Sequence, residues 1–414
     1  MIRRIGGGVC AATGFSAGAT FCAVKASASP DKEDLMVLAS DRPCTAGGVF
    51  TLNTVKAAPV RLTKERVALG KARAIIANSG NANCCAPRDM ANAKAMSNAA
   101  AEALSLPEEE VLVCSTGVIG EELRIKQILQ GVPRAVANMG NDESNNDAAV
   151  RAIRTTDTVS KICAAENELD GITFHIGGIA KGSGMIHPNM GTMLCFVTTD
   201  AAISSEMLQK AIVSVNKRTF SRITVDGDTS TNDSFIVLAN GAAGNPEITF
   251  DDGPGSPFDK FQNALYFVCS ELSRMIAADG EGATKLIKCN VAGLENEVVA
   301  SKMARVIVGS SLVKAAMFGC DANWGRVICA MGYSGIPFEQ EQTSIRFHSV
   351  GGSFFAMKTG VPQKFDEDLA RKVLDQKEVT IDVTIGDNFF AHAGFAYGCD
   401  LTYDYVKING DYRT

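Results

Sequence analysis

Short apolar runs bounded by turn residues alternate along this chain with longer stretches of helical period. Met36-Val37-Leu38-Ala39-Ser40, Gly48-Val49-Phe50-Thr51, Ala74-Ile75-Ile76-Ala77 and Val111-Leu112-Val113-Cys114 have the length and boundaries of strands. Further strands are predicted near 172–179, 193–199, 234–239, 284–292, 303–308, 326–331 and 378–385. Helical spacing predicts helices near 88–105, which Pro107 ends, and near 122–139, 203–216, 257–278 and 294–317. The last overlaps the strand predicted at 303–308, and there the strand reading takes precedence. The pattern is that of a mixed α/β (α+β) chain. No repeat of 20–50 residues is present. The clearest loop, Asp251–Pro257, is too short to tether separate domains.

Composition narrows the function classes. The chain has 414 residues, enough for two or three domains or one large intertwined body. A 46% hydrophobic and 21% charged content is that of a globular protein. The net charge of −6, one Trp and 7% aromatics leave neither a basic footprint nor a base-stacking surface for nucleic acid. No uncharged apolar run is long enough to span a bilayer. The start, Met-Ile-Arg-Arg-Ile-Gly-Gly-Gly, lacks the apolar core of a secretory signal, so a cytoplasmic location is expected. The thirteen cysteines follow no disulfide framework and read as free thiols in a reducing compartment. His175, His187, His348 and His392 have no zinc-site spacing, and no metal is expected.

Several motifs fail on context. Gly14-Phe15-Ser16-Ala17-Gly18 matches G-x-S-x-G, but the residues after it, Ala19–Val24, read as a strand where a nucleophile elbow needs a helix. Asp226–Asp233 resembles a calcium loop, yet its sixth and twelfth positions are Thr231 and Val237 rather than Gly and Glu. An acidic turn that organises backbone is the better reading. No phosphate-binding glycine loop occurs, so no nucleotide site is expected.

The run Lys181–Leu194, KGSGMIHPNMGTML, carries more. Gly191-Thr192 precedes a short buried strand, Met193–Val197. A plain loop entering a core strand would look the same. If the chain is cut before Thr192, however, the freed α-amine becomes a base for the Thr192 hydroxyl. An α-amine titrates near ~7.7–8.0, so much of it accepts protons close to neutrality. Gly191 lets the backbone bend for attack on its own carbonyl. Ser115-Thr116-Gly117-Val118-Ile119-Gly120 ends another predicted strand with small residues, as an oxyanion site or an ordinary turn would. Asp279-Gly280-Glu281-Gly282 sets one carboxylate between two glycines, as a solvated helix cap also would. Asp321-Ala322-Asn323-Trp324-Gly325-Arg326 holds the single Trp among polar groups. In the terminal segment, Leu401, Tyr403, Tyr405, Val406 and Ile408 predict a last strand before Asn409–Thr414.

Together these segments resemble the ornithine acetyltransferase family, the glutamate N-acetyltransferases of the cyclic arginine pathway. The resemblance spans nearly the whole chain: GGVCAATGF near the start, KAAPVRLT at 56–63, NSGNAN at 78–83, STGVIG at 115–120, TTDTVSK at 155–161, AKGSGMIHPNMGTML at 180–194, VDGDTSTNDS at 225–234, DGEGATKL at 279–286, DANWGR at 321–326 and the terminal CDLTYDYVKINGDYRT. The chain departs from the family where Gly191 replaces the usual Ala, and where His187 brings a titratable group.

The resemblance implies a precursor that cuts itself between Gly191 and Thr192. The fragments 1–191 and 192–414 would form one intertwined catalytic body, assembled as α2β2. The implied fold is a layered sandwich with helices outside two sheets, like the N-terminal-nucleophile hydrolases in logic but distinct in topology. Thr192 would be the nucleophile, Thr116 and Gly117 the oxyanion site, and Thr158, Lys181, Thr192, Glu281, Asn409 and Thr414 the substrate-binding residues. Acetyl would pass from N2-acetyl-L-ornithine to L-glutamate through acetyl-Thr192, with no cofactor. Acetyl-coenzyme A is left open as a further co-substrate, because no diagnostic loop for it is present. Competing readings are an N-terminal-nucleophile aminopeptidase or amidase, and a non-catalytic amino-acid-binding protein on the same scaffold.

Overall fold

The computed structural model describes residues 1–27, 29–187, 193–386 and 393–410. Gly191, Thr192 and Thr414 therefore lie outside the described residues. The chain forms two compact units. The first is Met1–Gly182, Pro188–Ser221 and Thr229–Ile276; the second is Ser183–His187, Arg222–Asp228 and Ala277–Thr414.

The first unit is built on β1 (Arg3–Ile5), β2 (Phe15–Thr20), β3 (Leu35–Phe50), β4 (Lys71–Asn78), β5 (Val111–Ser115), β6 (Lys161–Leu169), β7 (Ile172–Lys181), β8 (Leu194–Thr199) and β9 (Ser234–Ala239). These described strands form a nine-stranded sheet in the order β1-β6-β7-β8-β9-β3-β4-β5, with β2 paired to β3. Its helices are α1 (Ala58–Val67), α2 (Asp89–Leu104), α3 (Ile125–Ala137), α4 (Glu143–Ile153), α5 (Ser205–Arg218) and α6 (Pro257–Ala278). The strands read as continuous apolar runs because both faces of the sheet are buried. Met36, Leu38, Ile75, Ala77, Leu112 and Cys114 pack with Val150 and Ile153 of α4. The residues between them, Leu35, Val37, Ala74, Ile76, Val111 and Val113, pack with Met96 of α2 and Ile128 and Val132 of α3. Each large side chain so buried contributes about 1.5–3 kcal/mol.

The second unit holds β10 (Leu286–Ala292), β11 (Thr343–Ser349), β12 (Gly352–Lys358), β13 (Val361–Pro362), β14 (Glu378–Ile385) and β15 (Gly394–Cys399). They form a six-stranded mixed sheet in the order β13-β12-β11-β14-β10-β15, parallel only between β10 and β14. Here the alternation has an apolar and a polar side. Ile287, Val291, Ile345, Phe347, Ile381 and Val383 pack with α7 (Glu297–Gly309), α8 (Ser311–Phe318), α9 (Trp324–Gly332) and α10 (Glu367–Leu374). On the other side Asp382 accepts from Asn290 Nδ2 at 2.8 Å and from Arg346 Nη2 at 2.6 Å.

The mixed α/β class, with two sheets and flanking helices, agrees with the sequence reading. Four elements correct it. Residues 303–308 lie within α7, where Met303, Ala304, Ile307 and Val308 are buried at helical spacing. The decisive signal is upstream: the Asn296 side chain caps the helix by accepting from Val299 N–H at 3.0 Å. Residues 326–331 lie within α9, capped by Asn323, so the segment around Trp324 starts a helix against the second core. The helix expected over 294–317 is two helices, because Ser310 ends one and caps the next. The terminal strand is instead α11 (Tyr403–Gly410), none of whose residues is buried. Tyr403 is 84% and Val406 67% exposed, which a core-anchored strand would not allow. No described helix is long and apolar enough to cross a membrane.

Candidate active site

In the first unit the site grows from the ends of β4 and β5, which run parallel with Asn78 opposite Ser115. Thr63 of α1 pins β5 by donating to the Val113 carbonyl at 2.7 Å and accepting its N–H at 2.9 Å. Asn78 then ties the two exits together. Its Oδ1 accepts from Ser115 Oγ at 2.6 Å, and its Nδ2 donates to the Asn81 carbonyl at 2.9 Å. Thr116 N–H donates to the Asn78 carbonyl at 3.0 Å, and Ala82 N–H to the Val118 carbonyl at 2.9 Å. From the far side Asn232 Nδ2 donates to the carbonyls of Ala82 and Ser115, at 2.6 and 2.8 Å. The turn bearing Thr116 and Gly117 is therefore held from both sides. Gly117 sits at φ +133°, and a Cβ there would lie 2.3 Å from the Gly80 carbonyl carbon, so only glycine fits.

Lys181 ends β7 opposite Leu194, the first residue of β8. The connection between these strands contains Gly191 and Thr192. The Lys181 side chain is buried, and its Nζ donates to Thr116 Oγ1 at 3.4 Å. Two residues that the sequence left 65 positions apart thus meet. Beside them lies Asp157. Its Oδ1 accepts from Lys161 Nζ and from Gly182 N–H, each at 2.7 Å, and both side chains of the Asp157–Lys161 pair have no exposed surface. Burial alone would raise the Asp157 pKa. Lys181, Lys161 and the Gly182 N–H outweigh that and hold it well below the usual carboxylate range. Thr158, the neighbour favoured by resemblance, is exposed.

A second carboxyl behaves oppositely. Asp233 precedes β9, where Ser234 N–H donates to the Met193 carbonyl at 3.0 Å, one residue after Thr192. Burial drives its pKa well above normal, against the opposing effects of the Met193 backbone and Lys181. Its Oδ2 has no hydrogen-bond partner among the described residues. Asp157, Lys161 and Asp233 were missed from sequence. A charged residue beside Thr158, and a second cation four positions on at Lys161, were the available signals.

In the second unit, Glu281 is 5% exposed rather than a solvated cap, and Asn409 Nδ2 of α11 donates to its Oε2 at 2.8 Å. The two predicted binders therefore meet. The segment Ser183–His187 is clasped to the same place. Glu281 N–H donates to the Ser183 carbonyl at 3.0 Å, and Ser183 Oγ to the Asp279 carbonyl at 2.6 Å. A Cβ on Gly184 would lie 2.1 Å from Glu281 Oε2, which accounts for glycine in that motif. Asp226 accepts from Met185 and Ile186 N–H at 2.6 and 2.9 Å, the backbone-organising role expected of the acidic turn. Burial raises its pKa. His187 is bonded through Nδ1 to Thr224 Oγ1 at 3.0 Å, and burial, with Arg305, lowers its pKa.

Two α/β units with buried ionisable groups at their strand ends have the make-up of an enzyme. The model of the ArgJ family matches residues 16–414, and the chain belongs to that family. It is 49% identical to the arginine biosynthesis bifunctional protein ArgJ of Symbiobacterium thermophilum, over 99% of both chains. It is 44% identical to that of Thermotoga neapolitana, over 97% of this chain and 99% of that one. Among solved structures, ornithine acetyltransferase from Mycobacterium tuberculosis, complexed with ornithine, overlays 47% of this chain and all of its own (38% identity, TM-score 0.42). The family assignment rests on the sequence matches.

Proposed function

We propose that this chain is an acetyltransferase of arginine biosynthesis that moves acetyl from N2-acetyl-L-ornithine to L-glutamate through a threonine ester. The carrying observation is the Lys181–Thr116 contact, 3.4 Å, at the mouth of the connection that contains Gly191-Thr192. In the precursor, the Thr192 hydroxyl attacks the Gly191 carbonyl, the amide becomes an ester, and water releases fragments 1–191 and 192–414. A cut there leaves β7 and β8 paired in one sheet, so the fragments stay together, as α2β2 in the cytoplasm.

In turnover the α-amine of Thr192 takes the hydroxyl proton as its oxygen attacks the acetyl carbonyl. Thr116 and Gly117 stabilise the oxyanion. The ornithine amine leaves with the proton, and acetyl-Thr192 remains. Glutamate's amine attacks that ester, and the proton returns to Thr192. Lys181 suits a substrate carboxylate, Glu281 an ammonium group with Asn409 orienting it, and Thr158 and Thr414 complete the binding set.

Initial rates with both substrates varied test this reading. Parallel double-reciprocal lines are expected of two half-reactions at one site, and Thr192→Ala is inactive. Intersecting lines contradict the ester mechanism. Acetate release at an undiminished rate without glutamate would make the protein an amidase. Acetyl-coenzyme A in place of N-acetylornithine shows whether this donor also acylates Thr192.

A further inference from the structure

Asp34 fastens the loop between β2 and β3, its carboxylate accepting from Cys22 and Val24 N–H at 2.6 and 2.7 Å. The Asp34 carbonyl accepts Ser79 N–H at 3.0 Å, which joins this loop to the exit of β4 beside Asn78. Two residues before Asp34, Lys32 Nζ donates to the Arg154 carbonyl at 2.7 Å, and Arg154 Nη2 donates to the Asp157 carbonyl at 2.7 Å. Asp157 in turn holds Gly182 N–H, next to Lys181. Lys32, Arg154, Lys161 and Lys181 are thereby gathered at one set of strand ends.

The nearby carboxylates are already committed. Asp34 serves backbone N–H groups, Asp157 serves Lys161, Gly182 N–H and Thr155 N–H, and Glu33 pairs with Arg151 at 2.9 Å. Arg154 spends its Nη1 on Ser160 Oγ at 3.3 Å and its Nη2 on Asp157. Among the described residues Lys32 has a carbonyl as partner and no carboxylate, and an ammonium has three donors, so two remain for a ligand. The side chain is half-buried, within reach of solvent. Burial, with the charges of Arg154 and Lys181, lowers its pKa, and an arriving anion would relieve that repulsion.

The acetyltransferase reading above, on which this inference rests, supplies such an anion. N-acetylornithine and glutamate share an α-carboxylate and differ at the far end, an ammonium in one and a carboxylate in the other. Glu281 suits the first and repels the second, so a cation must answer the second. Lys181, in contact with Thr116, suits the α-carboxylate beside the reacting amine. We infer that Lys32 receives the side-chain carboxylate of glutamate and thereby selects the acidic acceptor in the second half-reaction.

The test measures kcat/KM for each substrate, which in two half-reactions at one site reports that substrate's own half. Lys32→Met should lower kcat/KM for glutamate at least tenfold and leave that for N-acetylornithine within twofold, as expected of a lost charge-assisted hydrogen bond to one substrate. Lys32→Arg should recover most of the glutamate value. Lys71→Met, which removes an exposed charge at the far end of β4, should change neither by more than twofold. An unchanged glutamate value, an equal loss with both substrates, or an equal loss in Lys71→Met overturns the assignment. Wild-type protein that never carries acetyl on Thr192 after N-acetylornithine alone contradicts the ester reading itself, and is seen before any variant is made.

Discussion

Asp157→Asn tests the electrostatics behind the Lys181 strand end. The exchange keeps shape but removes a carboxylate bonded to Lys161 Nζ at 2.7 Å, with both side chains fully buried. At an effective dielectric near 20, the attraction at that distance is about 6 kcal/mol. Desolvation of the two ions offsets much of it, but removing one charge of a buried ion pair costs about 3–5 kcal/mol. Urea unfolding should be followed in a Thr192→Ala background, which keeps one chain. The first unit's transition should lose about that much stability at neutral pH. Asp157 is held below its unfolded pKa, so its contribution is complete above about pH 4 and fades as pH falls through and below that value. The gap between wild type and variant should therefore close in acid. A loss under about 1 kcal/mol at neutral pH, or a gap that widens in acid, would refute the reasoning.

Other expectations follow from the same geometry. Thr116→Ala should lower kcat by about 10²–10³ while leaving KM for N-acetylornithine nearly unchanged; an effect on KM alone makes Thr116 a binding residue. Glu281→Gln keeps an acceptor for the Asn409 amide but removes the charge offered to a substrate ammonium. At about 1.5–3 kcal/mol for a hydrogen bond to a charged group, kcat/KM should fall about 10- to 150-fold, and unchanged kinetics remove the residue from the site. His187 is favoured neutral in the fold, so its contribution to stability is present above about pH 6.5 and is lost as pH falls through its lowered folded value. His187→Asn should flatten the melting-temperature profile below that pH, and a profile parallel to wild type contradicts this.

Legibility in the sequence followed physical scale. Buried strands such as Lys71–Asn78 and Val111–Ser115, and the full extent of α6, were readable because each is a local run with clear breakers. Residues 303–308 and 326–331 misled because a helix buried on a broad face is, over six residues, as continuously apolar as a strand; only the caps Asn296 and Asn323 distinguish them. The last segment misled because Tyr403 and Val406 of α11 lie exposed. Resemblance singled out Thr116, Lys181, Glu281 and Asn409 as candidates, and chain folding brings Lys181 to Thr116 and Asn409 to Glu281. The opposite pKa shifts of Asp157 and Asp233 were not legible. They depend on neighbours distant in sequence: Lys181 beside both, Gly182 at one, and the dry end of β9 at the other.

The central claim is a covalent acetyl on a new N-terminus at Thr192. Denaturing mass analysis of the purified protein should show fragments 1–191 and 192–414. After incubation with N-acetylornithine alone, only the second fragment should gain one acetyl group, which glutamate then removes as N-acetylglutamate appears. A fully active protein that remains a single 414-residue chain, or one that turns over without ever carrying acetyl on the second fragment, would contradict the account.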